Sequence, residues 1–217
     1  MRMNFIFLVP ILASLATAAP PLLPNGGFEE PDATNAAKPA GWDVLDGLGV
    51  RWEAETNGPA NRFIRMNTAV TERDYVSSCR AAGLDKWVFP NAANDPIAAT
   101  YGLSYYSDFI PVATGQAYRL RFRYRGASGG GKVWVRGYGL IQDVERRRYD
   151  TVVNCRTGGT GWTAFSQCFH PTTHTPSVTR MRVMLYAYWP PGVYAFDEVS
   201  VTPVSEAEWQ ADHRENE

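Results

Sequence analysis

Tyr118-Arg119-Leu120-Arg121-Phe122-Arg123-Tyr124-Arg125 alternates without a break between large apolar and cationic side chains. Successive side chains of a strand point to opposite faces. This stretch therefore places Tyr118, Leu120, Phe122 and Tyr124 on one side of a sheet and four arginines on the other. The same period recurs from Lys132 to Leu140, with Val133 and Val135 opposite Trp134, Arg136 and Tyr138. It recurs again from Thr179 to Tyr188, where Met181, Val183 and Leu185 oppose Arg180, Arg182, Met184, Tyr186 and Tyr188. Shorter strand signals occupy 63–66, 107–112, 149–154, 163–169 and 195–201. Gly- and Pro-rich turns fall between them, at 114–116, 126–131, 158–159 and 190–192. Many short strands with such punctuation predict an all-β fold, an antiparallel β-sandwich of the jelly-roll kind. Residues 67–106 break the pattern and are expected to form one long, partly helical excursion, with helix around Asp74 to Ala82.

The two ends of the chain read differently from the middle. Residues 1–19 carry a basic Arg2, an apolar run from Phe5 to Leu15 and the small-x-small triplet Ala16-Thr17-Ala18, the pattern of a cleavable signal peptide. That run is too short to span a bilayer, and no later apolar stretch approaches ~20 residues, so no membrane span is expected. Residues 20–204 then form the jelly roll, and 205–217 a charged tail with one helical turn near Trp209. A formal net charge of −1 supplies no global attraction to nucleic acid.

Three cysteines remain for an oxidising compartment. Cys155 and Cys168 bracket the turn-rich Arg156 to Trp162, and a disulfide between them is expected if the flanking strands are neighbours. The alternative joins Cys79 to one of the other two. Their spacing is not that of a zinc site.

Asn25-Gly26-Gly27-Phe28-Glu29-Glu30 and Tyr194-Ala195-Phe196-Asp197-Glu198-Val199-Ser200-Val201 each set an aromatic beside an acid. Acids from opposite ends of the chain suggest terminal strands that lie together, with a cation between them. At these residues the chain resembles the carbohydrate-binding modules of families four, nine and twenty-two, which are galactose-binding-like jelly rolls. Further matches follow in the family's order: Pro39-Ala-Gly-Trp42, Ser107 to Val112 followed by Thr114 to Phe122, Gly161-Trp162-Thr163, and the closing Phe196 to Val201. The resemblance covers about residues 22–204. It implies a structural calcium ion where the first and last strands meet, with Glu29 and Asp197 supplying side-chain oxygens. The other reading of these acids is a turn cap for Glu29 and backbone N–H acceptance for Asp197. It also implies core or strand-anchoring roles for Trp42 and Trp162, and binding of a polysaccharide or oligosaccharide such as β-glucan or xylan.

The candidate ligand residues come from phasing the strands. If the three long strands share a sheet, Arg121, Arg123, Trp134, Arg136, Tyr138, Arg182, Tyr186 and Tyr188 form one surface. Aromatic rings stack on the apolar faces of sugars, and arginine donates paired hydrogen bonds to hydroxyls or carboxylates, which suits a glycan with acidic groups. The alternative is a solvated face whose arginines pair with Asp143, Glu145 and Asp150. Trp52, Trp87 and Trp189 lie near turns, where they would serve as rim platforms. A jelly-roll polysaccharide lyase or glycoside hydrolase is the enzymatic rival, and a secreted adhesion domain the structural one. The lyase would need a His or Gln beside Arg and Tyr. His170 and His174 sit among prolines, and Gly126-Ala-Ser-Gly-Gly130 reads as a turn between strands.

Overall fold

The computed structural model describes residues 20–56, 60–84 and 92–216. The leader and Trp87 lie outside the described residues. Among the described residues, ten strands make two antiparallel sheets. The first contains Val50–Ala54 (β1), Arg62–Asn67 (β2), Ala117–Gly126 (β5), Gly159–Phe169 (β8) and Val193–Val204 (β10), in the order β1-β2-β10-β5-β8. The second contains Leu103–Tyr106 (β3), Gly131–Ile141 (β6), Val144–Asn154 (β7) and Val178–Ala187 (β9), in the order β3-β9-β6-β7, with Ile110–Pro111 (β4) also on β9. An all-β sandwich is thus what the alternating periods produce.

The core lies between the sheets. Tyr118, Leu120, Phe122 and Tyr124 of β5 are all buried in it, facing Val133 and Val135 of β6 and Met181, Val183 and Leu185 of β9. The β6–β7 turn is two residues long, and Gln142 and Asp143 both have positive φ, at 48° and 61°. That is the backbone of a type I′ turn, whose twist matches that of the strands it joins.

The excursion contains the helix Glu72–Ala81 (α1). Thr71 caps it by accepting from the Asp74 N–H at 3.2 Å, and Tyr75, Val76 and Cys79 are its buried face. The tail holds more helix than expected: Glu206–Asn216 (α2) runs three turns rather than one. Its start is a capping box. Ser205 Oγ accepts from Glu208 N at 3.3 Å, and Glu208 Oε2 accepts from Ser205 N at 3.0 Å. Trp209 then packs α2 against Ala117, Cys168 and Val204.

The Cys155–Cys168 bridge does not form: Cys79, Cys155 and Cys168 are all buried and none is in a disulfide. The reason is topological. β7, which leads into Cys155, ends the second sheet, whereas β8, which carries Cys168, ends the first. Cys155 sits in the main core and Cys168 in the small cluster under Trp209. Adjacency in sequence did not make the two strands sheet partners.

Candidate functional site

The outer face of the second sheet gathers most of the expected ligand residues. Register sets Tyr106, Met184, Trp134 and Val152 in one row across the four strands, and Arg182, Arg136 and Asp150 in the next. Two arginines side by side repel unless neutralised. Here Tyr106 lies between them: Arg136 Nη1 donates to its hydroxyl at 2.8 Å, and Arg182 lies over its ring at 4.3 Å. Arg182 also reaches both oxygens of Asp43 at 3.2 Å, and Arg136 lies 3.5 Å from Asp150. Trp134 takes Arg136 on its ring at 5.6 Å.

The lattice continues along the strands. Arg180 covers Phe109 at 3.9 Å and makes two bonds to Glu145, both at 2.6 Å. Those bonds hold the Glu145 carboxyl below its ordinary pKa and raise that of Arg180. Tyr138 packs edge-on to Phe109 at 5.2 Å. At the other end Tyr186 and Tyr188 stack at 5.6 Å, with Lys132 over Tyr188 at 4.9 Å. Burial, then the nearby Tyr188, raises the Tyr186 phenol pKa, and its hydroxyl donates to Tyr101 O at 3.0 Å. Rings and guanidinium groups therefore alternate across one preformed surface. Tyr106 and Phe109 were missed by sequence reasoning. The Leu103, Ser104, Tyr105, Tyr106 alternation was the available signal for Tyr106, but Phe109 sits just before a two-residue strand too short to phase.

Arg121 and Arg123 do not belong to this surface. They lie on β5, in the first sheet, so they face the opposite side of the sandwich from Trp134, Arg136, Tyr138, Arg182, Tyr186 and Tyr188. The assumption of a shared sheet fails because β6 folds away from β5 across the Gly-rich turn at 126–130. On that other face Arg123 pairs with Glu198 at 2.8 Å, while Arg125 pairs with Glu55 at 2.7 Å and covers Trp162 at 4.5 Å. Trp162 is thus a half-buried shelf for arginine, edge-on to Phe63, rather than a core residue. Trp42 is core, 1% exposed. Trp52 is tied down, its Nε1 donating to Phe28 O at 2.7 Å under Arg62, whereas Trp189 is 55% exposed.

The two terminal segments meet as expected, and their residues explain one another. Asn25, at φ 49°, accepts from Glu30 N at 2.9 Å and donates to Glu30 O and Ala40 O at 2.8 and 3.1 Å, which locks the loop. Phe28 then enters the core against Trp42 at 4.8 Å. Gly26 lies so close to β10 that its carbonyl accepts from Val199 N at 2.8 Å. That contact falls at a bulge, where the pairing of β10 with β5 shifts between Asp197 and Ser200 and Glu198 has φ 49°.

The bulge buries Asp197 completely. Its carboxylate accepts from Glu198 N at 2.7 Å and Asn61 Nδ2 at 3.0 Å. Burial raises its pKa, outweighing those bonds, and the charges of Glu198 and Glu29 add to the rise. Glu29 accepts from Arg62 N at 2.9 Å. No group of three or more His, Cys, Asp or Glu side chains gathers in metal-ligand range among the described residues. Among the described residues the Asp197 carboxylate bonds to no guanidinium or ammonium, and Glu29, from the other end of the chain, is close enough for its charge to be felt there.

No protein-family model and no curated protein matches the chain. Solved structures similar to it include the enzymatically active domain of tailspike protein 4 from bacteriophage CBA120, at 10% identity and TM-score 0.54 over 85% of this chain and 21% of that one. An arabinose-bound family 51 α-L-arabinofuranosidase matches at 14% identity and TM-score 0.49, over 86% of this chain and 27% of that one. The CBM22-1 xylan-binding domain of a Paenibacillus barcinonensis protein matches at 12% identity and TM-score 0.46, over 88% and 98%. The chain thus spans about a quarter or less of the first two. The likeness to the tailspike domain is one of fold. Among the described residues no helix is long and apolar enough to cross a membrane.

Proposed function

We propose that this chain is an exported, non-catalytic carbohydrate-binding domain that holds a polysaccharide on the outer face of its second sheet. The observation that carries the reading is the alternation of Phe109, Tyr106, Trp134, Tyr186 and Tyr188 with Arg180, Arg182 and Arg136 on one rigid surface. Rings on a sheet offer flat apolar platforms at little entropic cost, and guanidinium groups held by neighbouring carboxylates keep donors aimed outward. Arg180, Arg182 and Arg136 already have acidic partners in Glu145, Asp43 and Asp150, the last shared with Arg147. That pairing favours a neutral chain of the xylan or β-glucan kind over a uronate polymer. The leader motif supports export. Glu29 and Asp197, with nearby carbonyls, would hold a structural calcium ion that fastens the N-terminal segment to β10 and takes no part in ligand contact.

Affinity electrophoresis against xylan, β-glucan and a uronate polymer tests the proposal. Retardation by a neutral glucan or xylan, lost in the Trp134→Ala/Tyr186→Ala double variant, is the expected result. Retardation that survives the double variant would sink the sheet-face site. Retardation by the uronate polymer alone would overturn the neutral ligand, and growing absorbance of unsaturated product on that polymer would overturn the non-catalytic reading.

A further inference from the structure

Away from that face, the two sheets leave a gap where their last strands, β7 and β8, run alongside without pairing. β8 ends the first sheet and β7 the second. Between them lies a cleft of about 440 Å³, lined by Asn154, Arg156, Ser166, Gln167, Asp212 and His213. Phe165 and Val152 supply its apolar surface. Helix α2 closes one end. The volume falls within the range of about 300–1,000 Å³ that small-molecule sites occupy and is too small for a long polymer.

The polar groups are held in place before any ligand arrives. Gln167 on β8 reaches across the gap, donating to Thr151 Oγ1 of β7 at 3.2 Å. Asp212 on α2 accepts from the Cys168 N–H at 2.9 Å, so the helix fixes a carboxylate at the cleft. That N–H belongs to the free edge of β8. Alternate residues of a strand direct their main-chain groups to the same side, so the N–H and C=O of Ser166 face the cleft as well. Phe165 is stacked on Phe122 at 5.2 Å. The site therefore presents amide donors and acceptors, a carboxylate, a guanidinium, an imidazole and one phenyl ring. The charges of Arg156 and Asp212 oppose each other, which disfavours a strongly charged ligand.

We infer that this cleft is a second carbohydrate site, one that takes a neutral monosaccharide or disaccharide or the exposed end of a chain. A sugar, whose hydroxyls each both donate and accept, suits such a set. A site that binds ends, on a different side from a face that binds along a chain, would let one domain hold two glycan segments.

The test is titration of the ¹⁵N-labelled full chain with xylose, glucose, xylobiose and cellobiose, read by backbone and side-chain amide shifts. The expected result is shifts of the Gln167 side-chain amide and the Ser166 N–H, with affinity weakened about tenfold or more in Gln167→Ala, as for one lost buried hydrogen bond. The Trp134→Ala/Tyr186→Ala variant should retain these shifts. Asp212→Asn, which keeps the acceptor for Cys168 N, should weaken binding while leaving the melting curve and the Trp209 indole N–H shift intact. Shifts confined to the Trp134 face would overturn the second site and leave the first standing. Loss of shifts at β8 in the Trp134→Ala/Tyr186→Ala variant, or saturation by an extended peptide but by no sugar, would also overturn it.

Discussion

Gly26 and Gly27 are neighbours in one loop, yet replacing each by alanine should have opposite consequences. Neither has the left-handed backbone that would favour glycine on conformational grounds. A Cβ on Gly26 would sit 1.6 Å from the carbonyl oxygen of Val199, whereas the nearest atom to a Cβ on Gly27 is Glu29 Cγ at 4.0 Å. Non-bonded heavy atoms settle near about 3.5 Å, so in Gly26→Ala the two backbones must part by roughly 2 Å. That breaks the Val199 N to Gly26 O bond, which is 2.8 Å long. The lost bond costs about 0.5–1.5 kcal/mol and the residual crowding about 1–3 kcal/mol, together about 2–4 kcal/mol. For a chain of this size that is a fall in Tm of about 5–15 °C. Gly27→Ala should stay within about 0.5 kcal/mol of the parent, or gain slightly by restricting the unfolded chain. Urea unfolding with equal m values measures both. Equal losses in the two variants, or an unchanged midpoint for Gly26→Ala, would refute the close approach of the N-terminal segment to β10.

Two further outcomes follow. If calcium sits at Glu29 and Asp197, chelator should lower the Tm of the parent and leave Asp197→Asn unaffected. Without metal the sign reverses. The folded-state pKa of Asp197 is raised, so its burden on stability is absent below the unfolded value of about 3.9 and grows as pH rises through the folded value. Metal-free Asp197→Asn should therefore lose that fall in stability with pH, and an unaltered pH profile would count against it. Burial pushes the Cys155 thiol up to about 12, so the native chain should resist thiol reagents at pH 8 while the unfolded chain, without reductant, titrates three thiols. A count of one would restore a disulfide.

Legibility differed from element to element. The β5 alternation named its buried and exposed side chains correctly because the two-residue period is a local property of extended backbone. The Ser205-Glu-Ala-Glu208 capping box was present in the sequence, yet its charged surroundings read as a tail. Trp209, landing on Cys168 and Val204, and Asp212, bonded to Cys168 N, tie those three turns to the sandwich. The candidate site was half legible. Trp134, Arg136, Tyr138, Arg182, Tyr186 and Tyr188 were phased to the outward side of their strands. Arg121 and Arg123 were phased outward too, but outward from a different sheet.

Alternation and turn chemistry determined by themselves that this chain would be a β-sandwich, where most strands lie, and which side chains enter the core. The paired terminal motifs also announced that the ends would meet, because each sets an aromatic beside an acid. Only the tertiary structure decided which strands became neighbours. Pairing partners are chosen by contacts far apart in sequence, and a short turn such as 126–130 can return a strand to its own sheet or send it to the facing one. That choice put the arginines of β5 and the aromatics of β6 and β9 on opposite sides of the molecule, kept Cys155 from Cys168, and opened the cleft between β7 and β8.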